Sequence, residues 1–342
     1  MKIIVTGGYG FIGSNLIKSL LTNKNYKILN LDKVTETSIP LSLKKIKSRN
    51  YYFRKIDICN YNKLKRIIFE YKPNIIFHLA AETHVDNSIT RPKKFIDTNI
   101  VGTFNLIDIC KNLYAKNNYK NFKFIHVSTD EVYGSLKKNA KSFTEKSSFK
   151  PNSPYASSKA SSDLLVRAWI KTFKFPAIIT NCSNNYGPWQ YPEKLIPLVI
   201  AKCILKLKIP VYGNGLNERD WLYVGDHVRA LIHISKFGRV GDKYNIGMNR
   251  TLKNINLVKK ICSKLDTLNL HNKKDFKHET LISFVKDRKG HDFKYSVNSA
   301  KLKNLRTFKY EKNFDKTLTE TVLWYLENKK WLIDAYYKKF KR

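Results

Sequence analysis

The first half of the chain alternates between short apolar runs and amphipathic stretches. Lys2 to Gly8 is a β-branched run closed by glycines and reads as a buried strand. The stretch after it places Phe11, Ile12, Leu16, Leu20 and Leu21 along one helical face. Further strands are expected at Lys27–Asp32, Tyr51–Cys59, Asn74–Ala81 and Lys123–Asp130. Helices are expected at Asn60–Tyr71, with Pro73 after its end, and at Lys93–Leu113. Strand and helix patterns alternating at this spacing build β-α-β units. The fold class is therefore α/β, a Rossmann-type doubly wound parallel sheet.

Past Asn181 the pattern changes. The segment NNYGPWQYPEKLIP is rich in Pro, Gly and aromatics, and a helix (Leu195–Leu207) and a short strand with a turn (VYGNG) follow. The expected division is a sheet domain over 1–187, joined by about 229–250 and part of 300–330. The remainder of 188–342 forms a smaller C-terminal substrate-binding lobe over the crevice at the strand ends.

Composition narrows the reading. With 42% hydrophobic and 13% aromatic residues the chain can pack a core, which excludes disorder through low hydrophobicity. No uncharged apolar run reaches about 18 residues, and MKIIVTGGYGFIG is not built like a signal peptide. Neither a membrane nor export is expected, and the expected location is cytoplasmic. The five cysteines are widely spaced without a C-x-x-C, so reduced thiols are expected, and no metal site. The net charge of +37 is spread along the whole chain, which reads as a solvated basic surface and not as a nucleic-acid patch. It attracts anionic substrates such as nucleotide diphosphates.

Gly7, Gly10 and Gly13 form a G-x-x-G-x-x-G between a strand and a helix. Glycines there allow a tight turn and close approach to a pyrophosphate, which the free N–H groups of the helix start then face. Asp32 ends the second strand, where a carboxylate accepts from ribose hydroxyls and repels a 2′-phosphate. That selects NAD over NADP. Asp57, ending the third strand, is placed to meet the adenine.

Tyr155 and Lys159 make a Y-x-x-x-K at the start of a helix, one turn apart on one face. A lysine ammonium beside a phenol is expected to lower its pKa and make Tyr155 a general base. The fifth strand ends in Ser128-Thr129-Asp130-Glu131, at the carboxyl edge where such sheets bind ligands. Thr129 can hydrogen-bond a substrate hydroxyl. Asp130 and Glu131 are a carboxylate pair able to hold different protonation states.

Together these motifs resemble the extended short-chain dehydrogenase/reductase family. Within it, Thr129-Asp130-Glu131 resembles the triad of the sugar-nucleotide 4,6-dehydratases. Segments such as HLAAETHVDNS, HVSTDEVYG, PYASSKASSD and RDWLYV carry the resemblance over nearly the whole chain. It implies an NAD-dependent hydro-lyase in which Tyr155 takes the proton of the sugar 4-hydroxyl while C4 is oxidised. Thr129 then holds that hydroxyl, Lys159 tunes the tyrosine, Glu131 removes the C5 proton and Asp130 protonates the leaving 6-hydroxyl.

The resemblance further implies cofactor contacts at Phe11, Ile12, Lys33, Thr35, Ile58, Thr98 and Asn185, and along Leu79, Ala80, Ala81 and Glu82. It implies nucleotide-sugar contacts at Thr83, Asn184, Lys194, Leu195, Tyr212, Arg219, Asn254 and His291, with dTDP-glucose the expected substrate. A homodimer is implied, through the Tyr155 helix and the helix near 95–113. Departures are Glu36–Ile39 after Thr35, Gly225 for an acidic residue, Lys289 for a proline, and Tyr9 for an alanine.

Two alternatives remain at this stage. One is a neighbouring sugar-nucleotide enzyme: a UDP- or GDP-sugar dehydratase, a 4-epimerase or a UDP-glucuronate decarboxylase. Epimerases and decarboxylases need no acid at C6, so Asp130 is the discriminating residue. The other is a non-catalytic NAD-binding or basic nucleic-acid-binding protein, against which stands the complete Thr-Asp-Glu-Tyr-Lys set.

Overall fold

A computed structural model describes residues 1–268, 276–287, 290–310 and 313–340. The amino-terminal half runs β1 (Lys2–Thr6), α1 (Phe11–Leu20), β2 (Lys27–Asp32), β3 (Tyr51–Lys55), α2 (Tyr61–Tyr71) and β4 (Ile75–His78). It continues with α3 (Gly102–Tyr114), β5 (Lys123–Thr129), α4 (Pro154–Phe173), β6 (Ala177–Cys182) and β7 (Asn184–Tyr186). Next come α5 (Leu195–Leu205), β8 (Ile209–Tyr212), β9 (Glu218–Tyr223), α6 (Val224–Phe237), β10 (Lys243–Ile246) and β11 (Thr251–Lys253). The chain ends with α7 (Asn254–Thr267), β12 (Ile282–Val285), α8 (Phe314–Glu327) and α9 (Lys329–Phe340).

Among the described residues, seven strands form one sheet in the order β10-β6-β5-β4-β1-β2-β3, all paired parallel. The order reverses between β1 and β4, and the crevice outside that point is where open α/β sheets bind ligands. Side chains alternate across the sheet as strand periodicity requires. Ile3 and Val5 of β1 pack with α1 and α6 on one face. Ile4 packs with α2, α3 and α4 on the other. Caps fix the helix starts: Asn60 accepts from Lys63 N ahead of α2, and Ser153 accepts from Ala156 N ahead of α4.

A separate apolar core joins α5, α7, α8 and α9, with β8 paired to β12 beneath them. The sheet core includes Val228, Leu231, Ile234, Tyr244 and Ile246, and also Leu302 and Phe308. Returning segments thus complete the sheet layer after the chain has begun the second core.

Three differences from the sequence reading have physical causes. β4 stops at His78 because the next N–H groups, of Leu79 and Ala80, turn onto the Thr6 hydroxyl, each at 3.2 Å. β3 stops at Lys55, and Asp57 lies in the loop beyond it. The helix expected over Lys93–Leu113 widens to π-helical turns at Ile96–Val101, where the Asn99 side chain binds Glu82 N (2.8 Å), Glu82 O (3.1 Å) and Ser158 Oγ (2.8 Å). Strands β6 and β10 were not expected as such. Among the described residues, no helix is long and apolar enough to cross a membrane.

Candidate active site

The crevice opens over the β1–α1 turn. A Cβ on Gly13 would lie 2.3 Å from Gly7 O. Gly7 has φ +71°, and a Cβ there would meet Ala80 N at 2.8 Å. Both positions therefore require glycine, and together they leave a bare main-chain cradle at the helix start. Asp32 sits beside it, almost buried, with Oδ2 accepting from Tyr9 N (3.0 Å) and Oδ1 from Val34 N (2.7 Å) and Ser38 Oγ (3.0 Å). The altered loop after Thr35 thus closes onto the Asp32 carboxylate through Ser38. Tyr9 turns its ring onto Phe53, with centroids 4.7 Å apart. Lys33 reaches Glu82 (3.1 Å) and the Thr98 hydroxyl (3.2 Å).

One cleft collects every expected cofactor position: Gly7, Gly10, Phe11, Ile12, Gly13, Asp32, Lys33, Thr35, Asp57, Ile58, Leu79, Ala80, Ala81, Glu82, Thr98, Tyr155, Lys159 and Asn185 all line it. Thr83, Thr129, Glu131, Asn184 and Lys194 line it too. The glycine cradle, the acceptor Asp32 and the hydroxyls above it fit a dinucleotide whose ribose carries no 2′-phosphate. Cleft residues that the sequence did not single out include Ser38, His84, Asn87, Cys182, Gln190 and Glu193. Glu193 lay inside the quoted PEKLIP segment. His84 and Asn87 lay inside the quoted HLAAETHVDNS, Gln190 inside NNYGPWQYPEKLIP and Ser38 inside the departing Glu36–Ile39 loop, and tertiary packing brings them to this wall.

The reactive groups sit at the inner end. Tyr155 is 8% exposed and Lys159 4%. Burial pushes the phenol well above its usual value, and the charge of Glu131 adds to this, whereas the Thr129 hydroxyl acts the other way. Lys159 donates to Val127 O at 3.0 Å, and burial lowers its own pKa. The expectation that Lys159 lowers the phenol is thereby corrected: desolvation dominates at Tyr155, and the ammonium is committed to a β5 carbonyl.

Asp130 and Glu131 part company at the end of β5. Glu131 lines the cleft, whereas Asp130 is 2% exposed behind it. Burial raises Asp130 well above the ordinary carboxyl value, reinforced by the charges of Glu131 and Asp220, while Arg219 and the Thr129 hydroxyl oppose. The Thr129 hydroxyl donates to Asp130 Oδ1 (3.3 Å) and accepts from Glu131 N (3.3 Å). Burial thus favours the neutral form of Asp130 next to a carboxyl that faces the cleft, an arrangement suited to an acid and a base.

Leu195, Tyr212, Arg219, Asn254 and His291 do not line this cleft. Arg219 is buried over the Tyr295 ring (4.3 Å), with Nη2 donating to Asp292 O at 2.9 Å. The rings of Tyr212 and His291 meet edge-on at 6.1 Å, and Asn254 opens α7 with its N–H on Asn217 O. These residues form a second cluster in the smaller lobe, linked to the cleft through the charge of Arg219 on Asp130. Lys289, noted as a departure, lies outside the described residues.

The sheet, its switch point and the glycine cradle define the Rossmann class of dinucleotide-binding folds. A family model described as GDP-mannose 4,6 dehydratase matches residues 4–321. The chain is 45% identical to a dTDP-glucose 4,6-dehydratase of Neisseria meningitidis serogroup B, covering 96% of this chain and 94% of that one. The crystal structure of a dTDP-glucose 4,6-dehydratase from Bacillus anthracis in complex with NAD matches with TM-score 0.86 at 42% identity, covering 98% of this chain and 99% of that one. The dTDP-glucose 4,6-dehydratase DesIV of Streptomyces venezuelae, also with NAD bound, matches with TM-score 0.89 at 36% identity, covering 98% of this chain and all of that one (100%). The chain belongs to this family of sugar-nucleotide 4,6-dehydratases.

Proposed function

We propose that the protein is an NAD-dependent dTDP-glucose 4,6-dehydratase, converting dTDP-glucose to dTDP-4-keto-6-deoxyglucose and water. The observation that carries this reading is the Asp130–Glu131 pair beside Tyr155, one carboxyl buried, which favours its neutral form, and one facing the cleft. An epimerase or decarboxylase has no use for the buried acid. The near-full-length relatives, named for this activity at 36–45% identity, support the choice of substrate.

NAD supplies the hydride acceptor for C4 and the hydride for C6. Gly7, Gly10 and Gly13 cradle its pyrophosphate, Asp32 takes the adenosine ribose hydroxyls, and Asp57 and Ile58 flank the adenine. Tyr155 acts as the phenolate, whose charge the Lys159 ammonium offsets; its Oη accepts the proton of the 4-hydroxyl, which the Thr129 hydroxyl orients, and it becomes the neutral phenol. The 4-ketone acidifies C5, and Glu131 takes the C5 proton. Asp130 gives its proton to the 6-hydroxyl, which leaves as water. Glu131 then returns a proton to C5. Asn184, Lys194 and Leu195, with Tyr212, Arg219, Asn254 and His291, hold the nucleotide diphosphate, Arg219 contributing a positive charge.

The sheet domain (1–187 with about 229–250 and part of 300–330) holds the cofactor, and the remainder of 188–342 holds the sugar nucleotide. The protein works in the cytoplasm as a homodimer. Supporting the dimer, Ile96, Val101, Phe104 and Leu164 are 38–53% exposed on the two helical segments expected to pair.

The test is incubation with dTDP-glucose, UDP-glucose and GDP-mannose in parallel, following the alkali-induced absorbance of a 4-keto-6-deoxy sugar. Product from dTDP-glucose alone is expected. No product from any of the three overturns the reading, and product from GDP-mannose or UDP-glucose alone moves the substrate.

A further inference from the structure

A second layer of polar groups lies behind the reactive end of the cleft and has no part in the steps above. At its centre is Asp163, 1% exposed, on α4. Tyr155, Lys159 and Asp163 follow at successive helical turns, so they share one face. Both Asp163 oxygens are engaged: Oδ1 with His126 Nε2 at 3.0 Å, and Oδ2 with Asn181 Nδ2 at 2.9 Å. The same Asn181 Nδ2 donates to Thr129 O at 3.1 Å. One carboxylate thus ties the catalytic helix to β5 and β6, at the carbonyl of the residue preceding Asp130 and Glu131.

Resting on the dehydratase reading, we propose that Asp163 is a positioning residue: the counter-charge that holds Lys159 as an ammonium and the anchor that sets the catalytic helix against the end of β5.

The charges around Lys159 support this. Burial disfavours its ammonium, and Asp163 is the first group acting to restore it, followed by Cys182 of β6. The Cys182 thiol is itself pushed up to about 12, chiefly by burial, so near neutral pH it is protonated and offers no negative charge. His126 of β5 and His78 of β4 both have pKa values lowered first by burial, with Lys159 next at His126, and His126 followed by Lys159 at His78, so the neutral ring is favoured in each. Tyr155, on the same helix, is pushed up by burial. Among the groups facing Lys159 from these elements, Asp163 exerts the leading charge effect in favour of the ammonium. A neutral His126 with its proton on Nε2 donates to this carboxylate, and its bare Nδ1 is without a hydrogen-bond partner. Removing the charge leaves a buried ammonium without compensation, and such a group gives up its proton at lower pH.

The experiment is Asp163→Asn, purified with its NAD. It measures kcat and KM for dTDP-glucose across pH, the rate of NADH formation in a single turnover, and the melting temperature. The Asn variant keeps the shape and loses the charge. Expected is a shift of the alkaline limb of kcat to lower pH by about one unit or more, from loss of a nearby opposite charge. NADH formation at pH 8 falls about tenfold or more, with KM within about threefold. Asp163→Glu restores the limb in part. A kcat–pH profile that superimposes on that of the parent protein overturns the proposal, including where the melting temperature falls. If Asp163→Asn yields no folded protein, Asn181→Ala decides, since it cuts the link to Thr129 O and leaves the charge. A lower kcat with an unmoved pH profile then supports the anchor, and an unchanged kcat overturns it. Failure of the parent protein on dTDP-glucose sinks the functional reading instead and is seen before any variant is made.

Discussion

The wall of the cleft that fits the dinucleotide is mostly main chain, whereas the wall that carries the carboxylates is all side chain. On the first, the Gly7–Gly13 cradle is held by contacts so tight that no Cβ fits, and Asp32 is locked by three donors from its own neighbourhood. Its shape is set by close main-chain contacts where the β1–α1 turn meets the end of β2 and the Leu79–Ala80 segment. On the second, Asp130 is tuned by groups on other elements, Asp220 and Arg219 of β9, with Glu131 next in sequence. Asp220 itself is raised to about 7 by burial, despite backbone N–H groups of Asn249 and Arg250 on its carboxylate. Binding geometry is thus local, and the chemistry is set by the protein's long-range electrostatics.

Substitutions on the chemical wall should cost rate and leave cofactor binding intact. Tyr155→Phe is expected to lower kcat by about 10³-fold, from loss of the base for the first step. Stopped-flow measurement should find no NADH intermediate, with bound NAD unchanged. Asp130→Asn is expected to lower product formation by about 10²-fold while NADH still builds up, since only the acid for elimination is lost.

The same variant should melt higher. The folded-state pKa of Asp130 lies above its unfolded value, so its favourable contribution is present at acid pH and is lost as pH rises through the folded value. At neutral pH a buried carboxyl therefore costs stability. An amide in its place should raise Tm by roughly 2 °C, the gain growing from acid to neutral pH in a thermal melt.

Substitutions on the binding wall should do the reverse. Gly13→Ala drives a methyl to within 2.3 Å of Gly7 O and should cost about 2 kcal/mol of stability by overpacking, with loss of co-purifying NAD. Asp32→Asn, the mildest, should weaken NAD binding about tenfold and narrow the gap to NADP, read by titration of the cofactor-free protein. If Asp32→Asn instead left NAD affinity intact and lowered kcat, the separation of the two walls would fail.

Legibility followed the same line. Gly7, Gly10, Gly13 and Asp32, read from glycine spacing and a strand end, line the cleft because those signals are sequence-local, and the cofactor positions implied by the resemblance line it too. The Tyr155–Lys159 pair was placed correctly but its electrostatics were not. Helical spacing gives adjacency, whereas the sign of a pKa shift depends on how much water is excluded, and that is a property of the packed core. Asp163 closes the quoted PYASSKASSD, where helical spacing alone gave it no role, yet it is buried against His126 and Asn181 from two different strands. Ser38 was hidden in an unfamiliar loop, and its bond to Asp32 exists only because the chain folds back there.

What the sequence determined by itself was the α/β alternation, the glycine cradle and the residue types needed for oxidation and elimination. All of these rest on period, spacing and intrinsic backbone freedom. Tertiary structure alone decided that β6 and β10 extend the sheet, that the charge of Arg219 acts on Asp130, and that Asp130 is buried while its neighbour Glu131 faces the cleft. The physical reason is that burial and long-range charge arise only when segments far apart in the chain exclude water from the same place.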